Sequence, residues 1–320
     1  MSHHDVFNGD ADGICALHQL RLAAPRDSQL VTGAKRDIEL LDRVAAQPGD
    51  SVTVLDVSLD RNRAGLLRLL EQGVAVEYFD HHFAGAIPRH AGLTAHIDPA
   101  PGECTSTIVD RHLQGRHRLW AIVAAFGDNL EPTAARMAQE AGLAPRKAQL
   151  LRELGQAINY NAYGETEADL LLRPVDLYRA LQPFADPFDF IAGHEAPRRL
   201  GQARRQDLAL AHGTPPLWQG DAGSVTVLPD AAWARRVQGE FANELAARAP
   251  GRAHALLCET AGGWRVSVRA PLGRPQGADA LCRRFPGGGG RAAAAGVDLL
   301  PRERLREFID AFALAFPPAP

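Results

Sequence analysis

The sequence predicts an α/β fold: a doubly wound parallel sheet in an N-terminal domain, a helical connector, and a smaller α/β C-terminal domain. Three observations carry this reading. Short apolar, β-branched runs alternate with stretches of helical periodicity through the N-terminal part, the rhythm of a parallel sheet. Those runs end alike: Val6-Phe7-Asn8-Gly9 leads into Asp10-Ala11-Asp12-Gly13, Val52-Thr53-Val54-Leu55 into Asp56, and Val74-Ala75-Val76-Glu77-Tyr78-Phe79 into Asp80-His81-His82. A Gly/Pro break, His212-Gly213-Thr214-Pro215-Pro216, then precedes a second set of strand and helix patterns.

The first strand delivers Asp10 and Asp12. Residues 13–23 read as a helix, with Ile14, Leu17, Leu20 and Leu22 on or near one stripe. A second strand is expected over 29–34. Residues 37–46 carry Ile38, Leu41 and Val44 at helical spacing and are expected as a helix. Pro48-Gly49-Asp50 is a turn, 51–57 a strand, and 61–72 a helix closed by Gly73. The strand to Asp80 follows. Residues 93–97 read as a short strand and 105–113 as a helix with Thr105 or Ser106 as its N-cap. The apolar stretch 119–125 before Phe126-Gly127-Asp128-Asn129 reads as a fourth strand-like run ending in a carboxylate.

From 132 to about 211 the pattern is helical, broken by Pro145, Pro174, Pro183, Pro187 and Pro197. Tyr160, Asn161, Tyr163 and Phe184 read as core or helix surface rather than as base-stacking platforms, and His194 as a solvated turn residue. A basic helix, 196–210, closes this part. The expected domains are therefore 1–211 and 223–320, joined by a linker at 212–222. In the second, strands are expected at 224–228, 253–258 and 264–268, and helices at 232–247, 277–285 and 301–316. The Pro-rich tail 317–320 is expected to fray.

The 320 residues are 46% hydrophobic and 23% charged, enough for two cores. No apolar run reaches the roughly 18 residues of a membrane span, and the first residues lack a secretory pattern. Cys15, Cys104, Cys258 and Cys282 show no CxxC spacing, so a cytoplasmic setting is expected and a zinc knuckle is not. Charge is uneven. Residues 223–320 hold 13 Arg, no Lys and 9 acidic residues, a net +4; the preceding 222 hold 22 basic and 29 acidic residues, a net −7. An acidic part suits a metal site, and a basic part suits an anionic substrate.

A lone Asp after a strand is ordinarily a helix N-cap. Four such ends, one carrying Asp-His-His, point instead to hard-metal ligands converging at the carboxyl edge of the sheet. Asp10 and Asp12 face one cavity, Asp56 bridges from a neighbouring strand, His81 adds a nitrogen and Asp128 closes the set. Carboxylate and imidazole without thiolate favour two Mn²⁺ ions, or Mg²⁺, over structural Zn²⁺. Two such ions suit phosphoryl transfer to water.

In this order, Asp10-Ala11-Asp12-Gly13, Asp56, Asp80-His81-His82 and Gly127-Asp128-Asn129 resemble the four motifs of the DHH phosphoesterase superfamily. Gly287-Gly288-Gly289-Gly290-Arg291, continuing to Gly296, resembles the Gly-rich signature of the DHH-associated C-terminal domain. That superfamily holds RecJ-type exonucleases, nanoRNases that also act on pAp, family II pyrophosphatases and cyclic-dinucleotide phosphodiesterases. The resemblance implies that Asp10 and Asp56 hold one metal, and Asp12, Asp56, His81 and Asp128 the other. It places His82 on the scissile phosphate, with Asp80 orienting a histidine. Ser267, Arg269, Gly288, Gly289, Gly290 and Arg291 would hold the substrate.

Two positions depart from the pattern. Val6 stands where nanoRNase-like and pyrophosphatase-like relatives carry His. Asn8 is a poor substitute ligand there; His3, His4 or Asp5 are weighed as helpers against a plain disordered start. Arg291 stands where a His usually follows the glycines, which favours binding over proton transfer.

The activity expected from the resemblance is metal-dependent hydrolysis of phosphodiester bonds in short linear oligonucleotides or pGpG-like dinucleotides, in the cleft between the domains. A pAp-like phosphomonoesterase and a cyclic-dinucleotide phosphodiesterase stay open. So does a haloacid-dehalogenase-type phosphatase, whose aspartyl motif also fits Asp10-Ala11-Asp12-Gly13 but which needs a well-placed Lys from Lys35 or Lys147. A non-catalytic nucleotide-binding protein is the last alternative. Neither duplex nucleic acid nor a membrane is an expected partner, and a homodimer stays open.

Overall fold

The computed structural model describes residues 1–317; all of the tail expected to fray except Pro317 lies outside them. In the first unit the β-branched runs form β1 (His3–Phe7), β2 (Gln29–Val31), β3 (Ser51–Leu55), β4 (Ala75–Asp80) and β5 (Leu93–Ile97). They pair in parallel as one five-stranded sheet of order β2-β1-β3-β4-β5. The order reverses between β1 and β3. In open parallel sheets that reversal opens a crevice at the carboxyl ends of the strands, where ligands bind.

Register explains why the strand ends line up. Phe7 pairs with Leu55, and Leu55 with Phe79, so three buried side chains form one row across the sheet. Strand alternation sends that row into one core and the row Val6, Val54, Tyr78 into the core on the opposite face. Each fully buried apolar side chain contributes about 1.5–3 kcal/mol. Directly after the row the chain leaves β1 and β3 at one level, and β4 ends with Asp80 beside them.

The first core is covered by α1 (Ala11–Ala23) and the second by α2 (Arg63–Glu71). After β5 come α3 (Thr105–His112), α4 (Arg118–Gly127), α5 (Glu131–Glu140), α6 (Pro145–Ala162), α7 (Pro174–Leu181), α8 (Pro187–Gly193) and α9 (Glu195–His212). The expected strand at 119–125 is therefore α4, whose Trp120 to Phe126 are all buried. A helix apolar on every side is a central one, and a short apolar run alone does not separate it from a strand. Two glycines let it sit close: a Cβ on Gly155 would lie 2.1 Å from Val123 O, and one on Gly127 would lie 2.4 Å from Ala11 Cβ. The approach to α6 and α1 fixes where α4 ends, and so where Asp128 lies.

Other expectations for the first sheet fail as well. Residues 37–46 make only a 3₁₀ turn at Leu40–Arg43. The Asn62 side chain donates to Ile38 O and accepts from Leu41 N, and Arg68 donates to Leu41 O, so tertiary bonds replace a helical ladder there. His3 and His4 do not form a disordered start: they are buried residues of β1, paired with Ser51 and Val52. His3 lies 2.8 Å from Ser51 Oγ and 3.1 Å from Asp5, which also pairs with Arg21, so these side chains are engaged within the sheet.

The chain divides into units 1–202 and 203–320, within α9. The expected linker at 212–222 contains β6 (Trp218–Gly220). The second unit continues with β7 (Gly223–Leu228), α10 (Ala232–Arg248), β8 (Ala253–Thr260), β9 (Gly263–Arg269), α11 (Ala278–Cys282), β10 (Gly288–Gly290), β11 (Ala294–Pro301) and α12 (Leu305–Ala315). Its sheet runs β10-β11-β9-β8-β7-β6, with only β7 and β8 parallel. Phe308, Phe312 and Phe316 pack into its core. Three glycines of the Gly-rich signature thus form an edge strand, β10. Among the described residues no helix is long and apolar enough to cross a membrane.

Candidate metal centre

Every residue expected in the centre sits at the carboxyl edge of the first sheet. Asp10 follows β1 and N-caps α1, its Oδ1 accepting from the backbone N–H of Asp12 (3.0 Å) and Gly13 (3.1 Å). Asn8 Oδ1 accepts from Asp10 N, so Asn8 shapes the loop. Asp12, in the first turn of α1, accepts at 2.7 Å from the backbone N–H groups of Thr105 and Ser106. These two are therefore the first-turn donors of α3; its N-cap is Cys104, correcting the expected cap. Asp56 follows β3 with φ +57°, a left-handed conformation that Asp tolerates better than most residues. Thr105 Oγ1 donates to it at 3.4 Å.

His81 Nε2 lies 3.4 Å from Asp56 Oδ1 and 4.0 Å from Asp12 Oδ2. Asp56, His81 and His82 each offer a ligand atom within 4.8 Å of one another. His82 Nδ1 sits 2.7 Å from Asp80 Oδ1, and its backbone N–H donates to the same carboxylate. Asp80 is buried, whereas the His82 side chain is 45% exposed. A cavity of about 390 Å³ is lined by Asn8, Asp10, Asp56, His81, His82 and Asp128, with Lys35, Ser58 and Arg61.

Charge dominates this pocket. Burial, then repulsion from Asp10, Asp12 and Asp128, raises the Asp56 carboxyl well above the usual range. Burial likewise pushes Asp128 up to about 6, with Asp12 and Asp10 adding to it and Lys35 opposing. Burial would also raise Asp10, but the Lys35 ammonium 2.6 Å away overrides it and holds Asp10 at about 2. For His82 burial favours the neutral ring, yet the bond to Asp80 prevails and raises it. A buried carboxylate repelled by three others, beside imidazole nitrogens, fits a hard divalent cation. The donor set suits such an ion.

Lys35 and Arg61 line the pocket without being among the site residues expected from the sequence. Lys35 follows β2 as Asp10 follows β1, so its position after a strand end is the available signal. No such signal marks Arg61.

In the second unit, Ser267 on β9 pairs with Gly296 on β11, which pairs with Gly289 on β10. One serine and two glycines make a row bare of bulky side chains. Arg269 lies beside it, donating to Ser267 Oγ at 2.8 Å and to Asn243 Oδ1 at 2.7 Å. Gly288 and Gly290 belong to the same edge strand, and Arg291 is exposed in the turn to β11.

No family model matches the sequence, and no curated protein does. Solved structures do. A manganese-bound exonuclease RecJ superposes with a TM-score of 0.62 at 18% identity, over 98% of this chain and 90% of that one. The DHH domain of a member of a ribosomal-protein family gives 0.63 at 14% identity, over 99% and 87%. A pGpG-specific phosphodiesterase from Vibrio cholerae gives 0.54 at 14%, over 98% and 99%. The chain has the DHH-domain fold, that of the superfamily its motifs resemble.

Proposed function

We propose that this chain is a divalent-metal-dependent phosphoesterase that hydrolyses phosphodiester bonds of short linear oligonucleotides or dinucleotides. The carrying observation is the gathering of Asp56, His81 and His82 with Asp10 and Asp128 around one cavity, and Asp12 beside His81, at the topological switch point of a parallel sheet. Similarity over nearly the full length of both chains to a pGpG-specific phosphodiesterase supports the substrate class.

Asp12, Asp56 and His81, with Asp10 and Asp128, are the donors for Mn²⁺ or Mg²⁺. A bound ion supplies charge that stabilises phosphoryl oxygens and lowers the pKa of water. Asp80 fixes the His82 ring through Nδ1, so the other ring nitrogen is left to donate to a phosphate or leaving oxygen. Arg61 adds a cation at the rim that attracts anions. In the second unit, Ser267, Arg269, Arg291 and the backbone of Gly288, Gly289 and Gly290 bind a further phosphate or the 5′ end.

The test is a hydrolysis screen with Mn²⁺ over pGpG-like dinucleotides, pAp, cyclic dinucleotides and polyphosphate. Dinucleotides are expected to turn over fastest, with EDTA silencing the reaction and Mn²⁺ restoring it. Absence of turnover on every substrate would sink the enzyme reading and leave a nucleotide-binding protein. Arg269→Ala is expected to lose a charge-assisted hydrogen bond, about 1.5–3 kcal/mol, or roughly ten- to a hundredfold in kcat/KM. That loss should fall on KM with a dinucleotide and shrink with a minimal chromogenic diester. Equal losses on both would place Arg269 at the reacting phosphate.

One contact favours a second reading. Lys35 on Asp10 is the pairing an aspartyl phosphatase also needs. Beryllofluoride trapping on Asp10 would support that reading, which leaves Asp80-His81-His82 without a role.

A further inference from the structure

Lys35 is held from several directions. Its backbone N–H donates to Ala162 O at the end of α6, at 3.0 Å. Its ammonium lies 2.6 Å from Asp10 Oδ2, 3.5 Å from Asn159 Oδ1 and 3.6 Å from Asp128 Oδ1. The Tyr163 ring centroid is 5.3 Å away. A lysine ammonium has three N–H donors and no acceptor, and three oxygens surround this one. The side chain is 26% exposed and lines the same cavity as the carboxylates.

The ammonium thereby takes up one side of the acidic cluster, where Asp10 also meets the Asp56 carboxyl. Asp10 and Asp128 face the ammonium. Asp56 and His81 face each other, with Asp12 beside them, and the three donors that come together without the ammonium are Asp56, His81 and His82. We propose that Lys35 is a built-in cation standing in for one of two metal ions, so that the chain takes up a single divalent ion, on Asp12, Asp56 and His81. The inference rests on the reading of this pocket as a metal centre. A primary ammonium puts a fixed positive charge on Asp10, the carboxylate that would otherwise help to hold the second ion, and a chelator cannot remove it. A second cation at that place would meet a fixed positive charge within hydrogen-bonding distance of Asp10, which disfavours its binding.

The experiment counts manganese. The full chain is stripped with EDTA, dialysed against excess Mn²⁺ and analysed for bound metal. Its EPR spectrum is then recorded, because two neighbouring Mn²⁺ ions couple and a lone ion does not. Wild type is expected to hold about one Mn²⁺ per chain with an uncoupled spectrum, the second place being held by the ammonium. Lys35→Ala, which frees Asp10 and Asp128, is expected to hold about two with a coupled spectrum, and Lys35→Arg about one. Thermal melts establish that each variant is folded, and Lys35→Gln serves in place of Lys35→Ala if that variant is not. Two coupled ions in wild type overturn the role of Lys35 and leave the metal centre intact. A folded Lys35→Ala or Lys35→Gln that still holds one ion overturns it as well. A wild-type chain that binds none overturns the metal centre itself.

Discussion

Asp56→Asn is expected to melt higher than wild type in the absence of metal, and to lose turnover when metal is added. The two effects share one cause. Asp56 is buried, and burial together with Asp10, Asp12 and Asp128 disfavours its charge, so the metal-free chain holds this carboxyl at a cost that a bound cation relieves by displacing its proton. Asparagine removes the charge and keeps the shape. It is also the proper replacement at φ +57°, because Asn tolerates the left-handed region whereas Ala is penalised by roughly 1–2 kcal/mol. Each kcal/mol recovered raises the melting temperature by roughly 2–4 °C in units of this size. Loss of a group that merely supports a ligand lowers metal affinity or activity about 10–100-fold; loss of the shared donor is expected to exceed about a hundredfold. The pH dependence of the metal-free chain has the same origin. Asp128, raised to about 6, favours its protonated form in the folded state. Its stabilisation is complete below the unfolded-state value and is lost as pH rises through about 6. Asp10, held at about 2, acts in the opposite sense, and its stabilisation is lost only as pH falls through about 2. The metal-free melting temperature should therefore fall as pH rises from about 4 to about 6, with bound Mn²⁺ reversing the trend. A folded Asp56→Asn chain with near-wild-type turnover would remove Asp56 from the centre.

The strand ends are legible because parallel strands and their exits carry a local signature. β-branched runs stop at Asp, and register then sets Phe7, Leu55 and Phe79 abreast without further instruction. Asp128 is reached from the sequence for the wrong reason. Its helix reads as a strand, since a run apolar on every side has no period to distinguish the two, and only the close contacts at Gly127 and Gly155 show the helix in its place. The turn at Leu40–Arg43 is illegible for another reason: Asn62 and Arg68, distant in sequence, take the backbone groups that a helix would have used. The glycine strand β10 is hidden because its partner β11 begins with small residues that carry no β signature. Lys35 is legible only as a phosphatase lysine, because its contact with Asp10 joins two strand ends 25 residues apart and leaves no local pattern.

Asp80→Asn is expected to lower kcat by roughly the 10²–10⁴-fold that a positioned proton donor contributes, on substrates with a poor leaving group. Asp80 does not line the cavity; it acts through His82, whose Nδ1 it holds at 2.7 Å. A carboxylate in that position fixes the ring's orientation and keeps the proton on Nδ1, and it raises the proton affinity of the imidazole against the effect of burial. The neutral amide of Asn accepts a hydrogen bond but withholds the charge, so the imidazolium is lost at lower pH. The sign is definite. A raised His holds its proton up to a higher pH, and the activity it supports declines as pH rises through its folded-state value. Asp80→Asn should move that alkaline limb of the kcat profile to lower pH, while Mn²⁺ content stays at the wild-type level. A diester with a chromogenic leaving group, which departs without a proton, should lose much less than a dinucleotide does. Asp80 would be a structural residue only if the limb stayed in place and both substrates lost activity equally. If the variant instead lost its manganese, His82 would belong to the ligands, and the proton-donating role would pass to another group.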